Sequence, residues 1–203
     1  SIAEDASINV NSVEPFIGEE FRMNAVKAIV ISSVLIVLYV WLRFRSMHGL
    51  SAGVFAVLAL IHDIMVMFTA YIIFRIPLND SFVAAMLTII GYSINDTIVI
   101  YDRIRENTKL MRKASYKELV NKSVLQSLSR SINTSVTTLI AVLTLLVFSV
   151  IYNIQSIREF TLPLVIGIIS GVYSSLFIAS PLYMMWQERK LNRKAAAQKP
   201  AKT

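Results

Sequence analysis

Residues Leu50–Phe74 read LSAGVFAVLALIHDIMVMFTAYIIF, a long apolar stretch that holds one pair of ionisable neighbours, His62-Asp63, near its middle. A helix needs about 20 mostly apolar residues to cross the hydrocarbon core of a bilayer. The stretch is therefore predicted to be a transmembrane helix.

Four further stretches have the same character, and they are Ala25–Leu42, Phe82–Tyr101, Ile132–Tyr152 and Phe160–Trp186. Of the 203 residues, 55% are hydrophobic and only 16% are charged, whereas soluble domains carry about 25% charged residues. The predicted fold class is an all-α membrane protein, a bundle of five transmembrane helices within residues 19–188.

The composition also excludes several kinds of site. The chain has no cysteine, so it can form neither a disulfide nor a thiolate metal site, and His48 and His62 are too far apart for a zinc-protease helix. Its six glycines form no phosphate-binding loop. We therefore expect no metal site and no enzymatic activity.

The basic residues alternate between the loops. The connection 102–131 holds eight of them, and the tail after Arg189 and the first linker are basic as well, while the other two linkers hold one arginine each, balanced by an acid. Positive loops are typical of the cytoplasmic side of membrane proteins, whereas a nucleic-acid site would need such patches on a soluble surface. The pattern predicts an N-terminus outside, a C-terminus in the cytoplasm and no nucleic-acid partner.

The two ends differ from the bundle. Residues 1–18 are acidic, begin without methionine and contain no signal peptide, so we expect them to be the end of an extracytoplasmic domain in a longer or fused chain with an earlier helix. Within them, Ser7–Val13 alternates weakly and is predicted to be a strand. Residues 189–203 are predicted to be a basic, disordered cytoplasmic tail.

The connection 102–131 is predicted to be amphipathic and cytoplasmic. Its apolar residues recur at helical spacing between lysines and arginines, as in Tyr116, Leu119 and Val120. A helix lying on the inner leaflet explains this pattern, and a short helix packed beneath the bundle explains it equally well.

The third stretch contains the run Gly91–Thr97, GYSINDT, in which Asp96 follows Asn95 and lies one turn after Tyr92. An aspartate near the centre of a spanning helix costs ~2.5–3.5 kcal/mol on insertion scales, so its presence needs an explanation. A carboxyl group in such a place can bind and release protons, as an ion-driven machine requires. The alternative is a static polar clamp between helices.

The fourth stretch begins with a polar stripe. Arg130, Thr134 and Thr137 fall on one face, and Asn133 lies beside it. Such a stripe is unsuited to lipid, so we expect it to line a helix interface or a wet path. Arg130 stays charged and is the natural counter-ion for Asp96, although an arginine that extends to the inner membrane boundary is the alternative.

The pair His62-Asp63 adds two ionisable groups at mid-depth. Asp63 is able to accept a hydrogen bond from another helix, and imidazole titrates near neutral pH. We assign both to the proton pathway; a structural hydrogen-bond cluster is an equally good explanation.

The fifth stretch contains Gly167-Ile-Ile-Ser-Gly171, a spacing of small residues that allows close packing of helices. Pro163 and Pro181 predict kinks near its ends.

These motifs resemble the SecF branch of the SecD/SecF family, within the resistance-nodulation-division superfamily. The run Gly91–Asn107, GYSINDTIVIYDRIREN, is very similar to the signature around the membrane aspartate of that family. Ser127–Thr138, SLSRSINTSVTT, is similar to the segment with its membrane arginine, and Ala59–Asp63, ALIHD, and Val13–Ile17 also fit. The resemblance thus extends from residue 13 to residue 186.

The resemblance implies a six-span unit of which this chain holds spans two to six. It implies that Asp96 and Arg130 form the ion pathway and that the only cofactor is a coupling ion, H⁺ or Na⁺. The implied function is that of an accessory subunit of Sec protein export in the bacterial cytoplasmic (inner) membrane, which uses the ion gradient in late translocation of unfolded polypeptides. The implied partners are SecD, separate or fused, and the SecYEG channel, with YajC and YidC as further candidates.

Two other functions stay open at this point. A small-molecule exporter of the same superfamily would use similar aspartates, but it needs outside porter domains. A structural or assembly subunit would use the polar residues only to hold helices together.

Overall fold

The computed structural model describes residues 15–45, 49–111 and 114–197. Within these ranges all regular structure is helical, and five stretches are long and apolar enough to cross a membrane: Met23–Arg43, Gly49–Ile73, Asp80–Leu110, Tyr116–Ile151 and Gln155–Arg193. The predicted all-α bundle of five spanning helices is confirmed. The strand predicted at Ser7–Val13 lies outside the described residues, and the orientation of the termini stays a prediction.

The elements follow one another along the chain as α1 (Pro15–Arg43), α2 (Gly49–Ile73), α3 (Asp80–Leu110), α4 (Tyr116–Ile151), α5 (Gln155–Ser174), a π-helical turn (Ser175–Ala179) and α6 (Ser180–Ala197). α5, the π turn and α6 form one continuous run that makes up the fifth span.

α5 lies in the middle of the bundle and α1 at its edge. In the most apolar window of each span, 56% of the residues are buried for the span that contains α5 but only 11% for α1. α1 packs along α2, where a Cβ added at Gly53 would lie 3.2 Å from the Val37 Cα. The other side of α1 exposes large apolar residues such as Ile31 and Val34, as a lipid-facing helix does.

Two buried apolar clusters divide the bundle along its length. One contains Met86 and Ile90 of α3 with Leu164 and Ile168 of α5. The other contains Ile100 and Tyr101 of α3 with Leu176 and Tyr183 further along the chain. Along α3 and α5, residues 93–97 and 170–175 therefore lie between the two clusters, and these segments carry the polar side chains described below.

The connection between the third and fourth spans differs from the leaflet helix that the amphipathic pattern allowed. α3 continues to Leu110 and α4 already begins at Tyr116, capped by Ser115, whose hydroxyl accepts from the Glu118 N–H at 3.2 Å. Leu119 and Val120, in the first turns of α4, are buried against the bundle and so do not face the leaflet. The packed alternative applies, as an extension of α4 rather than as a separate helix.

The irregularity expected near Pro181 takes the form of the π turn directly before it. Proline has no N–H to donate to the preceding turn. Beside it, Ser180 donates its hydroxyl to the Ser175 carbonyl at 2.9 Å. π turns inside helices occur often at functional sites. This one lies next to the polar segment of α5.

Candidate functional site: two buried aspartates among serine hydroxyls

Asp63, on α2, is fully buried and is surrounded by donors from two other helices. Its Oδ2 accepts from Ser93 Oγ of α3 and from Ser174 Oγ of α5, both at 2.7 Å. Its Oδ1 accepts from Ser170 Oγ at 2.7 Å. The neighbouring His62 places Nδ1 at 3.2 Å from the same Oδ1. Asp63 thus joins α2, α3 and α5 through one carboxyl group.

Small residues on one face of α5 make this junction possible. A Cβ added at Gly171 would lie 3.2 Å from the Ser93 Cβ, and one added at Gly167 would lie 2.5 Å from the side chain of Ile89. Glycine therefore lets the α5 backbone approach α3 closely enough for serine, the shortest hydroxyl side chain, to reach Asp63. The packing face expected from the glycine spacing lies against α3.

Asp96, on α3, is buried like Asp63 but is bonded differently. Its Oδ1 accepts from the Ser131 hydroxyl of α4. Its Oδ2 is also buried and has no hydrogen-bond partner in the part of the chain that the structure describes. One carboxyl group is therefore fully bonded and the other only half.

A row of serines on α4 faces the bundle. Ser123, Ser127, Ser131 and Ser135 recur every four residues, and all four are buried. Tyr92 donates its hydroxyl to Ser135 Oγ at 2.8 Å. The spacing of four residues is the one signal of this row in the sequence, since serine is nearly neutral in hydropathy.

The polar stripe predicted on α4 does not lie on the face that carries the serine row. Arg130, Thr134 and Thr137, with Asn133 beside them, are exposed at the outer surface of the described chain, and so is Asn95 on α3. Thr137 bonds only carbonyls of its own helix, at 3.0 and 2.9 Å. Successive residues of a helix point about 100° apart, and the smaller serines take the inner face. The expectation that the stripe lines a helix interface or a wet path stays a prediction.

Arg130 forms no ion pair with Asp96 among the described residues; the carboxyl group of Asp96 is bonded by Ser131 instead. Arg130 lines a cavity of about 480 Å³ that also has Val99, Ser127 and Glu106 in its wall. Val99 lies about one turn after Asp96 on α3, and Ser127 lies about one turn before Ser131 on α4. The cavity thus opens one helical turn from the half-bonded carboxyl.

The other ionisable group, His62, lies at the rim rather than in the interior. Its side chain is 36% exposed, and its ring centroid is 6.1 Å from that of Tyr173. The described residues contain no cluster of three histidine or carboxylate side chains suited to a metal ion.

A hydroxyl at the start of the π turn connects the Asp63 junction to the residue next to Asp96. Ser175 Oγ lies 2.9 Å from Thr97 Oγ1 and donates to the Ser93 carbonyl at 3.3 Å. Ser93 bonds Asp63, and Thr97 is the residue after Asp96. The two carboxyl groups therefore lie in one polar layer between the two apolar clusters, with Asp63 bonded to α3 and α5 and Asp96 bonded to α4.

Comparison with known proteins identifies the family. The family model for the C-terminal part of protein export membrane protein SecD/SecF matches residues 2–189. The chain belongs to the SecD/SecF family. Its relatives in this family include the protein translocase subunit SecF of Alicyclobacillus acidocaldarius, 44% identical over 197 residues, which are 96% of this chain and 61% of the relative.

Fused members of the SecD/SecF family are similar as well. The protein translocase subunit SecDF of Bacillus subtilis is 40% identical over 191 residues, 93% of this chain and 25% of that protein. The crystal structure of SecDF from Thermus thermophilus superposes with a TM-score of 0.77 at 44% identity, covering 86% of this chain and 23% of that one. The chain thus spans about three-fifths of the SecF relative and about a quarter of the SecDF relatives. The resemblance stated from the motifs is confirmed.

Proposed function

We propose that this chain is the membrane part of an accessory subunit of the Sec protein-export machinery in the bacterial cytoplasmic membrane, where it couples an H⁺ or Na⁺ gradient to the movement of unfolded polypeptides. Membership of the SecD/SecF family supports the export role. The observation that carries the ion coupling is the buried carboxyl of Asp96, whose Oδ2 has no hydrogen-bond partner among the described residues. A buried oxygen without a partner is a place where a proton or another cation can arrive and leave.

In the proposed working step, Arg130 replaces its neighbour Ser131 as the residue of α4 that contacts Asp96. Ser131 faces Asp96 when the carboxyl group is protonated, and a rotation of α4 by about 100° would bring Arg130 to the ionised carboxylate instead. A proton that crosses the membrane releases about 2.3 kcal/mol per 100 mV. This is of the same order as the ~2.5–3.5 kcal/mol that one charged side chain costs at mid-membrane.

The proposed neighbour of the exposed polar side chains on α4 is SecD, as a separate protein or in a fusion. Relatives named SecDF support this partner. Asn133, Thr134 and Thr137 need polar cover in a membrane, and a second bundle would provide it. SecYEG, YajC, YidC and the exported polypeptide are proposed as partners from family membership.

The test is a hybrid SecDF in which this chain replaces the matching segment of the Bacillus subtilis protein, expressed in a strain depleted of its own SecDF. Asp96→Asn keeps the size of the side chain but removes the protonatable group. We expect it to abolish the gradient-dependent part of export while the protein stays inserted. Asp80→Asn, at the exposed start of α3, is the matched control and should export like the unmodified hybrid.

Wild-type export by the Asp96→Asn hybrid would refute ion coupling through Asp96 and favour a structural subunit. Repeating the assay with the Na⁺ gradient collapsed, and then with the H⁺ gradient collapsed, identifies the coupling ion.

A further inference from the structure

Asp63 is bonded so completely that its role is expected to differ from that of Asp96. Three hydroxyls from α3 and α5 donate to its two oxygens at 2.7 Å, and the group is fully buried. A proton added to Asp63 would require one of these hydroxyls to turn and accept a hydrogen bond instead of donating one, within a tightly packed junction. A proton added to Asp96 meets an oxygen that has no partner among the described residues.

The junction also determines which way Asp96 points. Ser93 and Asp96 are three residues apart on α3, so their side chains diverge by about 60° around the helix axis. Ser93 is held by Asp63 on one side, and Asp96 reaches Ser131 of α4 on another. A rotation or slide of α3 away from Asp63 would therefore carry Asp96 away from Ser131.

A second contact reinforces the same register. Thr97 Oγ1 lies 2.9 Å from Ser175 Oγ, and Ser175 also bonds the Ser93 carbonyl at 3.3 Å. Ser175 follows Ser174, which is itself bonded to Asp63. α3 is thus attached to α5 on both sides of Asp96 in sequence, whereas the bond from Asp96 to α4 depends on a single hydroxyl.

We propose that Asp63 is a positioning residue for Asp96: it holds α3 on α5 in the register that presents Asp96 to α4, and it carries no proton during transport. This inference rests on the proposed ion coupling through Asp96, and it narrows the pathway predicted from the sequence, which included Asp63.

The amide analogue separates the two roles. In Asp63→Asn the Oδ1 still accepts from Ser170, and the Nδ2 group donates to Ser93 and Ser174, because serine hydroxyls accept as well as donate. The junction therefore stays bonded while the protonatable group is lost. Asp63→Ala removes both the hydrogen bonds of the junction and the protonatable group.

In the hybrid SecDF, we expect Asp63→Asn to keep most of the export activity. We expect Asp63→Ala to lower the export rate at least about tenfold, because a small displacement of a reacting group, here the Asp96 carboxyl, has a large effect on rate. Ser149→Ala is the control for insertion and packing, because the hydroxyl of this buried serine donates to the Leu146 carbonyl of its own helix and not to the Asp63 junction. Loss of export by Asp63→Asn equal to that of Asp63→Ala would overturn the proposal and make Asp63 a carrier. Full export by Asp63→Ala would overturn it as well.

A second measurement reports position without transport. The chain has no cysteine, so the pair Thr97→Cys and Ser175→Cys can be introduced into it alone and oxidised in isolated membranes. We expect the disulfide to form equally fast with Asp63 and with Asp63→Asn, and several-fold more slowly with Asp63→Ala. Equal rates of disulfide formation in all three variants would refute the positioning role. This outcome does not depend on transport, so it is distinct from a failure of the proposed function, which a fully active Asp96→Asn hybrid would show.

Discussion

Tyr92 on α3 donates its hydroxyl to Ser135 Oγ on α4 at 2.8 Å, and Ser135 in turn donates to the Ser131 carbonyl at 2.6 Å. Ser131 is the residue whose hydroxyl bonds Asp96. Tyr92 and Asp96, one turn apart on α3, therefore hold the same turn of α4. These hydroxyl contacts contrast with the close backbone packing of α3 on α5 at Gly167 and Gly171. α4 is thus the neighbour of α3 that is better suited to move.

Removal of the Tyr92 hydroxyl should loosen α4 slightly. Hydrogen bonds between helices in membranes contribute about 0.6 kcal/mol on average and up to about 1.7 kcal/mol, so Tyr92→Phe should destabilise the folded chain by about 1 kcal/mol. Thermal unfolding in detergent measures the change. Tyr152→Phe, at the exposed end of α4, is the control, and an equal loss there would show that the Ser135 contact contributes nothing specific.

Close packing of α5 on α3 predicts different effects for two glycine substitutions. A Cβ at Gly167 would lie 2.5 Å from atoms of the Ile89 side chain, so Gly167→Ala should cost about 1–3 kcal/mol of stability. Gly91, on α3, has nothing within 4 Å of the added Cβ, so Gly91→Ala should be neutral or slightly stabilising. The same unfolding assay compares the two variants, and equal stabilities would contradict the packing described here.

The exposed polar side chains of α4 predict a defect in assembly rather than in folding. Thr134→Leu should leave the stability of the chain unchanged, because Thr134 is exposed in the chain alone. It should weaken association with the proposed SecD partner by about 1 kcal/mol, or about fivefold in affinity, and so lower its recovery by co-purification. Thr69→Leu makes the same change at an exposed threonine of α2, and comparable losses from both variants would argue against a specific interface on α4.

Much of the fold could be predicted because its signal is local. The five spans were recognised from apolar runs of sufficient length, and the described helices contain all five. The ends were less predictable: α3 extends to Leu110 and α4 starts at Tyr116, so both helices run well past the apolar windows. Their extensions are held by buried contacts such as the bond from Asn107 Nδ2 to Ser123 Oγ at 2.8 Å, which hydropathy does not report.

The site could be predicted only in part. Asp63 and Asp96 were found because a carboxyl group in an apolar stretch is conspicuous in any sequence. Their partners were missed because serine is common and nearly neutral in hydropathy. Ser93 and Ser170 carried no local signal, and Ser131 carried only the spacing of four in its row. The interpretation of Arg130 as the partner of Asp96 rested on charge alone, and the described arrangement gives that place to Ser131.

The sequence by itself therefore determined the membrane class, the number of spans and the two buried carboxyl groups, since each follows from the cost of placing a polar or apolar group in lipid. The tertiary structure alone decided which face of α4 turns inward and which donors reach each carboxyl. Neighbouring residues on a helix differ in direction by about 100°, so the choice between Arg130 and Ser131 depends on how closely α3, α4 and α5 pack, and not on the composition of any one segment.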